Sequence, residues 1–181
     1  MGTTPTYSWP YPESTDPVAN GAQDIEDLAL AIESTVSGIG GKILQVVQTV
    51  KTDGFSTTST SHVDVTGLNV SITPGAATSK VMVFVFASAS NSLTNQFTGF
   101  QLVRGTTDIA EGTSGTTNET FTDWNASGGL RTVAFSFLDT PATTSSTTYK
   151  VQMRATAGTS TLGGSATYGM ISSITVMEVA A

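Results

Sequence analysis

The chain has 181 residues, no cysteine, a single histidine, and 14 acidic against 7 basic residues, a formal net charge of −7. Disulfides and thiolate metal sites are therefore excluded, and an acidic chain with singly scattered Lys and Arg is a poor partner for a phosphate backbone, so no nucleic acid is expected. Charged residues make up only 12%, too few for a disordered polymer, and the length suits one packed domain with a short appendage.

Residues 1–16 read as an extended Pro- and aromatic-rich arm, because each Xaa-Pro step biases the preceding residue away from helix. Tyr7, Trp9, Pro10, Tyr11 and Pro12 form its stiff track. With no core predicted nearby, the aromatics are candidate anchors to another protein, a role in which Trp and Tyr are enriched. Glu13, Asp16, Asp24, Glu26, Asp27 and Glu33 all precede Lys42, the first basic residue, so the negative charge lies at this end. Met1 to Pro12 has neither the basic start nor the apolar core of a secretory leader, and no apolar run reaches membrane-spanning length. Membrane insertion is not expected, and the sequons at Asn69, Asn118 and Asn125 are read as chance.

A short helix is predicted over 17–38, starting between Asp16 and Gly21 and ending near Gly38, with 39–41 as a glycine joint. Val18, Ile25, Ile32 and Ile39 share one heptad position, Leu28 and Thr35 the partner position, and Ala22, Ala29 and Val36 widen the stripe. So short a helix is marginal alone in water. It either packs on its own domain or forms a coiled-coil stalk on an oligomer axis. Ile/Leu alternation leans towards two strands, whereas the added Ala/Val row suits a wider bundle.

From Lys42 the pattern changes to short Val-, Ile-, Phe- and Thr-rich runs, expected as strands near 42–51, 62–73, 79–88, 97–104, 107–111, 118–123, 130–138, 147–156 and 168–179. Thr73-Pro74-Gly75, Arg104-Gly105, Gly128-Gly129 and Asp139-Thr140-Pro141 supply turns. The fold class is thus mainly β, with 42–181 an antiparallel β-sandwich or barrel. Tyr149 to Arg154 alternates cleanly between apolar and polar, as a strand wetted on one face does. Val81-Met82-Val83-Phe84-Val85-Phe86 has no polar face, so either its own chain or a neighbouring subunit must cover its outer side.

Catalytic patterns are nearly absent, and no enzymatic activity, cofactor or metal is expected. His62 and Asp64 would share a strand face, but a surface pair explains them as well. Asp108 with Glu111, or Glu119 with Asp123, could approach the spacing of a glycosidase acid pair. Asn118, Glu119, Asp123 and Asn125 could offer oxygens to calcium, although the spacing matches no calcium loop. Phe121, Asp123, Trp124 and Asn125 are a better candidate for receptor contact, combining aromatic faces with groups that bind sugar hydroxyls; Trp124 could equally plug the sandwich edge.

The stretch Pro10-Tyr11-Pro12, Asp16-Pro17-Val18, Gly21, Ile25, Leu28-Ala29 and Ile32-Glu33 resembles the N-terminal attachment segment of tailed-phage fibre-type proteins. Gly41 to Val46, Thr66-Gly67-Leu68 and Ile174 to Glu178 are similar to the compact C-terminal knobs of such proteins. The resemblance implies a jelly-roll knob and a homotrimer, with a stalk through Val18, Ile25, Leu28, Ile32 and Ile39. It further implies residence on the virion exterior, with residues 1–16 held by a tail, portal or major capsid protein. Two roles fit: a short tail fibre attaching to the host surface, with a host-surface glycan as candidate partner, or a head fibre or decoration protein on the capsid. A lectin-like module from another class is the rival.

Overall fold

Proline-imposed extended backbone at the N-terminus is used for pairing: Gly2–Thr3 (β1) and Pro10–Tyr11 (β2) form an antiparallel hairpin. The structure, a computed structural model, describes residues 2–39, 43–113, 118–125, 129–164 and 169–181. The predicted joint at Gly40-Gly41, the start of the knob at Lys42, Gly128 of one turn and the Tyr168 start of the last strand lie outside these residues. The arm is thus not a single extended track. Thr4 N–H donates to the Trp9 carbonyl (2.9 Å) and Ser8 N–H to the Thr4 carbonyl (2.9 Å), with Ser8 turning the chain at φ 56°. Nor do the aromatics stay apart, since the Tyr7 and Trp9 rings stack with centroids 5.1 Å apart.

A 3-10 turn at Val18–Asn20 leads into the helix Gly21–Ile39 (α1). Trp9 Nε1–H donates to Thr35 Oγ1 at 2.9 Å, while the Thr35 hydroxyl donates to the Ala31 carbonyl at 2.8 Å. The hairpin is therefore latched to the helix. Residues 1–41 and 42–181 are two compact units. Among the described residues of the first, no apolar side chain is fully buried; Asp24 alone reaches that state. A unit so poor in core cannot draw its stability from internal burial.

The second unit contains Ile43–Lys51 (β3), Phe55–Thr57 (β4), Val63–Ile72 (β5), Lys80–Asn91 (β6), Gln96–Arg104 (β7), Thr107–Ile109 (β8), Phe121–Asn125 (β9), Arg131–Asp139 (β10), Thr147–Ala155 (β11), Ser160–Leu162 (β12) and Ser172–Val179 (β13). One sheet runs β3-β13-β6-β10, with β12 and β4 continuing beyond the C-terminal half of β6; the other runs β5-β11-β7-β8, with β9 also on β7. Every pairing is antiparallel. The first strand, β3, lies beside the last, β13, in one sheet, and β5 lies beside β11 in the other, the strand order of a jelly roll built of Greek keys. The short strands β4 and β12 escape sequence reading because each has three residues, two of them Ser or Thr.

Between the sheets lie Val81, Val83, Val85, Ala87 and Ala89 of β6, facing Leu68, Val70, Phe100, Leu102, Val151 and Met153. Period-two alternation places these residues inward and their neighbours outward. Glu178, buried at the end of β13, accepts from Gln45 Nε2 (2.6 Å) and from the Gly75 amide (2.7 Å). The Gln45 hydrogen bond leads the causes that lower its pKa. It fastens the 74–79 turn to the sheet.

Candidate functional site

The two outer faces of the sandwich differ in chemistry. On the β5-β11-β7 sheet the outward positions are polar and mutually paired. Asp64 accepts from Lys150 Nζ (2.9 Å) and Gln152 Nε2 (2.7 Å), and those contacts, Lys150 first, lower its pKa. Glu119 lies over Gly99 and bridges His62 Nε2 (2.8 Å) and Arg154 Nε (2.6 Å). Gln101 bonds Glu111. Such a face is at home in water.

The β3-β13-β6-β10 sheet presents the opposite surface. Strand register aligns Val46, Met177, Met82 and Leu138 in one cross-strand row, and puts Phe84 and Phe86 in the next rows on the same side. Phe84 and Phe86 are 42% and 44% exposed, and Leu44, Val46, Val50 and Leu138 are exposed beside them. The sequence left two ways to cover the 81–86 strand, and its own chain leaves these rings open. A hollow of about 370 Å3 between Phe84, Phe86 and Ala134 marks the middle of the patch. Ser136 and Thr175 flank Phe84 and Ser173 flanks Phe86 on this face, so the apolar groups are interrupted by hydroxyls; exposed rings beside an aliphatic row still mark a candidate interaction surface.

A second unpartnered apolar surface lies on the first unit. Val18 is 97% and Ile25 64% exposed, with Val36 exposed on the same stripe, whereas Leu28 and Ile32 are half-buried. The side chain of Ile39 lies outside the described residues. Of the arm residues, Tyr7, Tyr11 and Pro12 are exposed, while Trp9 and Pro10 are half-buried. Trp9 therefore has a partner within its own chain, which the sequence reading did not foresee.

The predicted receptor-contact segment is corrected in part. Phe121 faces inward, packs on the core and stacks on Phe135 with centroids 6.2 Å apart. Asp123, two residues on along the same strand face, is buried, and among the described residues its Oδ2 has no hydrogen-bond partner. Alternation along β9 turns both towards the core, Phe121 half-buried and Asp123 buried. The side chains of Trp124 and Asn125 lie outside the described residues. Glu119 and Asp123, considered as an acid pair, occupy opposite faces, and Glu119 is already committed to His62 and Arg154. Of the residues considered for calcium, Glu119 and Asp123 point to opposite faces, and the side chain of Asn125 lies outside the described residues. His62 and Asp64 likewise take separate partners. Among the described residues no three metal-binding side chains cluster, and no helix is long and apolar enough to cross a membrane.

Burial raises the pKa of Asp123, with Arg131 partly opposing. A raised folded-state pKa means that the favourable contribution is complete below the unfolded value, about 3.9, and is lost as pH rises through the folded value. Asp123→Asn should therefore gain stability relative to wild type as pH rises from 4 to 7. Urea midpoints at both pH values measure it; an unchanged difference would show the carboxylate to be solvated.

Strand order defines a jelly-roll β-sandwich whose outer faces differ, one built of paired polar and charged groups and one carrying exposed aliphatic and aromatic side chains among Ser and Thr. The sequence matches no protein-family model and no curated protein. Among solved structures, the T13 viral particle of infectious bursal disease virus is similar over 78% of this chain (12% identity, TM-score 0.44), and the VP2 subviral particle of the same virus over 76% (14% identity, TM-score 0.40). The chain spans only 36% and 38% of the length of those viral chains.

Proposed function

We propose that the protein is a non-enzymatic structural component of a virus particle: a short homotrimeric fibre of tailed-phage type, held by its N-terminal unit and presenting the jelly-roll knob outward for host attachment. The observation that carries this reading is the apolar outer face around Phe84 and Phe86 on an otherwise well-packed domain. Buried between three copies, that face has the environment its composition demands. The exposed Val18/Ile25/Val36 stripe supplies a second contact, next to a unit that lacks a core of its own. Tyr7 and Tyr11, left open while Trp9 latches the hairpin to the helix, offer the anchor surface towards a neighbouring virion protein.

Removal of residues 2–16 tests the anchor. The deleted protein should stay folded and soluble but no longer co-purify with particles, because truncating a single interface aromatic of this class already costs ~2 kcal/mol or more. Retention on particles at full occupancy would assign attachment to the knob and reverse the orientation of the molecule.

A further inference from the structure

A second hollow, of about 520 Å3, lies on the outer side of the first sheet where β4, β12 and β6 run together. Register places Ser56, Thr161 and Ser90 side by side across these three strands, and Thr52 and Gly54 border them. Among the described residues none of the four hydroxyls in this group has a side-chain hydrogen-bond partner, and none of the lining residues is charged. The floor is glycine by necessity. At Gly163, φ is +83°, and a Cβ would come within 3.0 Å of the Asp53 carbonyl oxygen and 3.4 Å of the Met170 carbonyl oxygen. Three backbone segments meet there with no room for a side chain, so the depression is held open by main chain.

Position adds to the chemistry. Ile43 and Lys80 mark one end of the sheet, Lys51 and Asn91 the other, and the hollow belongs to the second end. The nine-residue β3 separates the point where the chain enters the knob from the hollow by roughly 27 Å.

We infer that this hollow binds an uncharged saccharide, and that it is the receptor-facing site of the knob; the second clause rests on the fibre reading above. Hydroxyl side chains both donate and accept, so a row of them beside bare glycine backbone matches a ligand that carries hydroxyls in sequence. Without lysine or arginine the lining gives no reason to select sialic acid or phosphate. Phe55 also lines the hollow, offering a ring face on which a sugar ring can stack, and the three-residue β4 is too short an edge to be extended by a peptide strand.

The test uses the full-length protein on immobilised neutral hexose and N-acetylhexosamine oligosaccharides, alongside sialylated forms of the same chains. Any neutral hit is titrated in solution by NMR. At least one neutral saccharide should bind with a dissociation constant of about 1 mM or tighter. Ser56→Tyr, on the exposed edge strand, and Ser90→Gln, facing outward, should each weaken binding about tenfold or more, with the melting temperature unchanged. Failure of every neutral saccharide, preference for the sialylated forms, or affinity untouched by both variants would overturn the site. Oligomeric mass measured on the same sample separates the two readings. A trimer that binds no sugar sinks only this inference; a monomer that binds one sinks the fibre and keeps the hollow.

Discussion

Phe84→Asp is expected to convert a trimer into a folded monomer. The ring points outward from β6 and is 42% exposed in the single chain, so the substitution removes nothing from the core. In an assembly that buries this face, the aspartate would be an unpaired charge in apolar surroundings, which costs several kcal/mol at each copy of the interface. Light scattering coupled to size exclusion should give a trimer mass for the wild type and a monomer mass for the variant, with the β-sheet circular dichroism retained. Phe86→Asp, one row further on the same face, should behave alike. An assembled Phe84→Asp protein, or a monomeric wild type at micromolar concentration, would remove this face from the interface.

The largest loss of stability is expected at Asp139. It ends β10 in one sheet, yet its carboxylate accepts from Arg104 Nη1 at 2.8 Å to each oxygen and from the Tyr149 hydroxyl at 2.7 Å, both in the opposite sheet. Tyr149 is fully buried, and its pKa is raised by that burial first and by the Asp139 hydrogen bond second, so it stays a donor throughout the neutral range. Asp139→Ala strands a buried hydroxyl and leaves a half-covered guanidinium unpaired, a loss of about 3–5 kcal/mol. Tyr149→Phe removes one hydrogen bond but leaves the Asp139–Arg104 pair, and should cost about 1 kcal/mol. Urea denaturation at pH 7 orders the two; equal losses would mean that packing, and not the ion pair, joins the sheets at this end.

Period-two alternation, turn residues and the absence of a polar face on 81–86 were legible in the amino-acid order, because each depends on neighbours a few positions apart. They determined a β-sandwich, placed most of its long strands and marked an outer face in need of cover. The heptad stripe was legible for the same reason. Tertiary structure alone decided that β10 and β13 flank β6, so that Phe84 and Phe86 stand among Val46, Met177 and Leu138 instead of in isolation. It also turned Phe121 and Asp123 into the core, folded the arm back so that Trp9 meets Thr35, and joined Ser56, Thr161 and Ser90 into one row. The Trp9–Thr35 contact and the Ser56, Thr161, Ser90 row link residues 26 to 105 positions apart, and at such separations only the closure of the chain decides which side chains become neighbours.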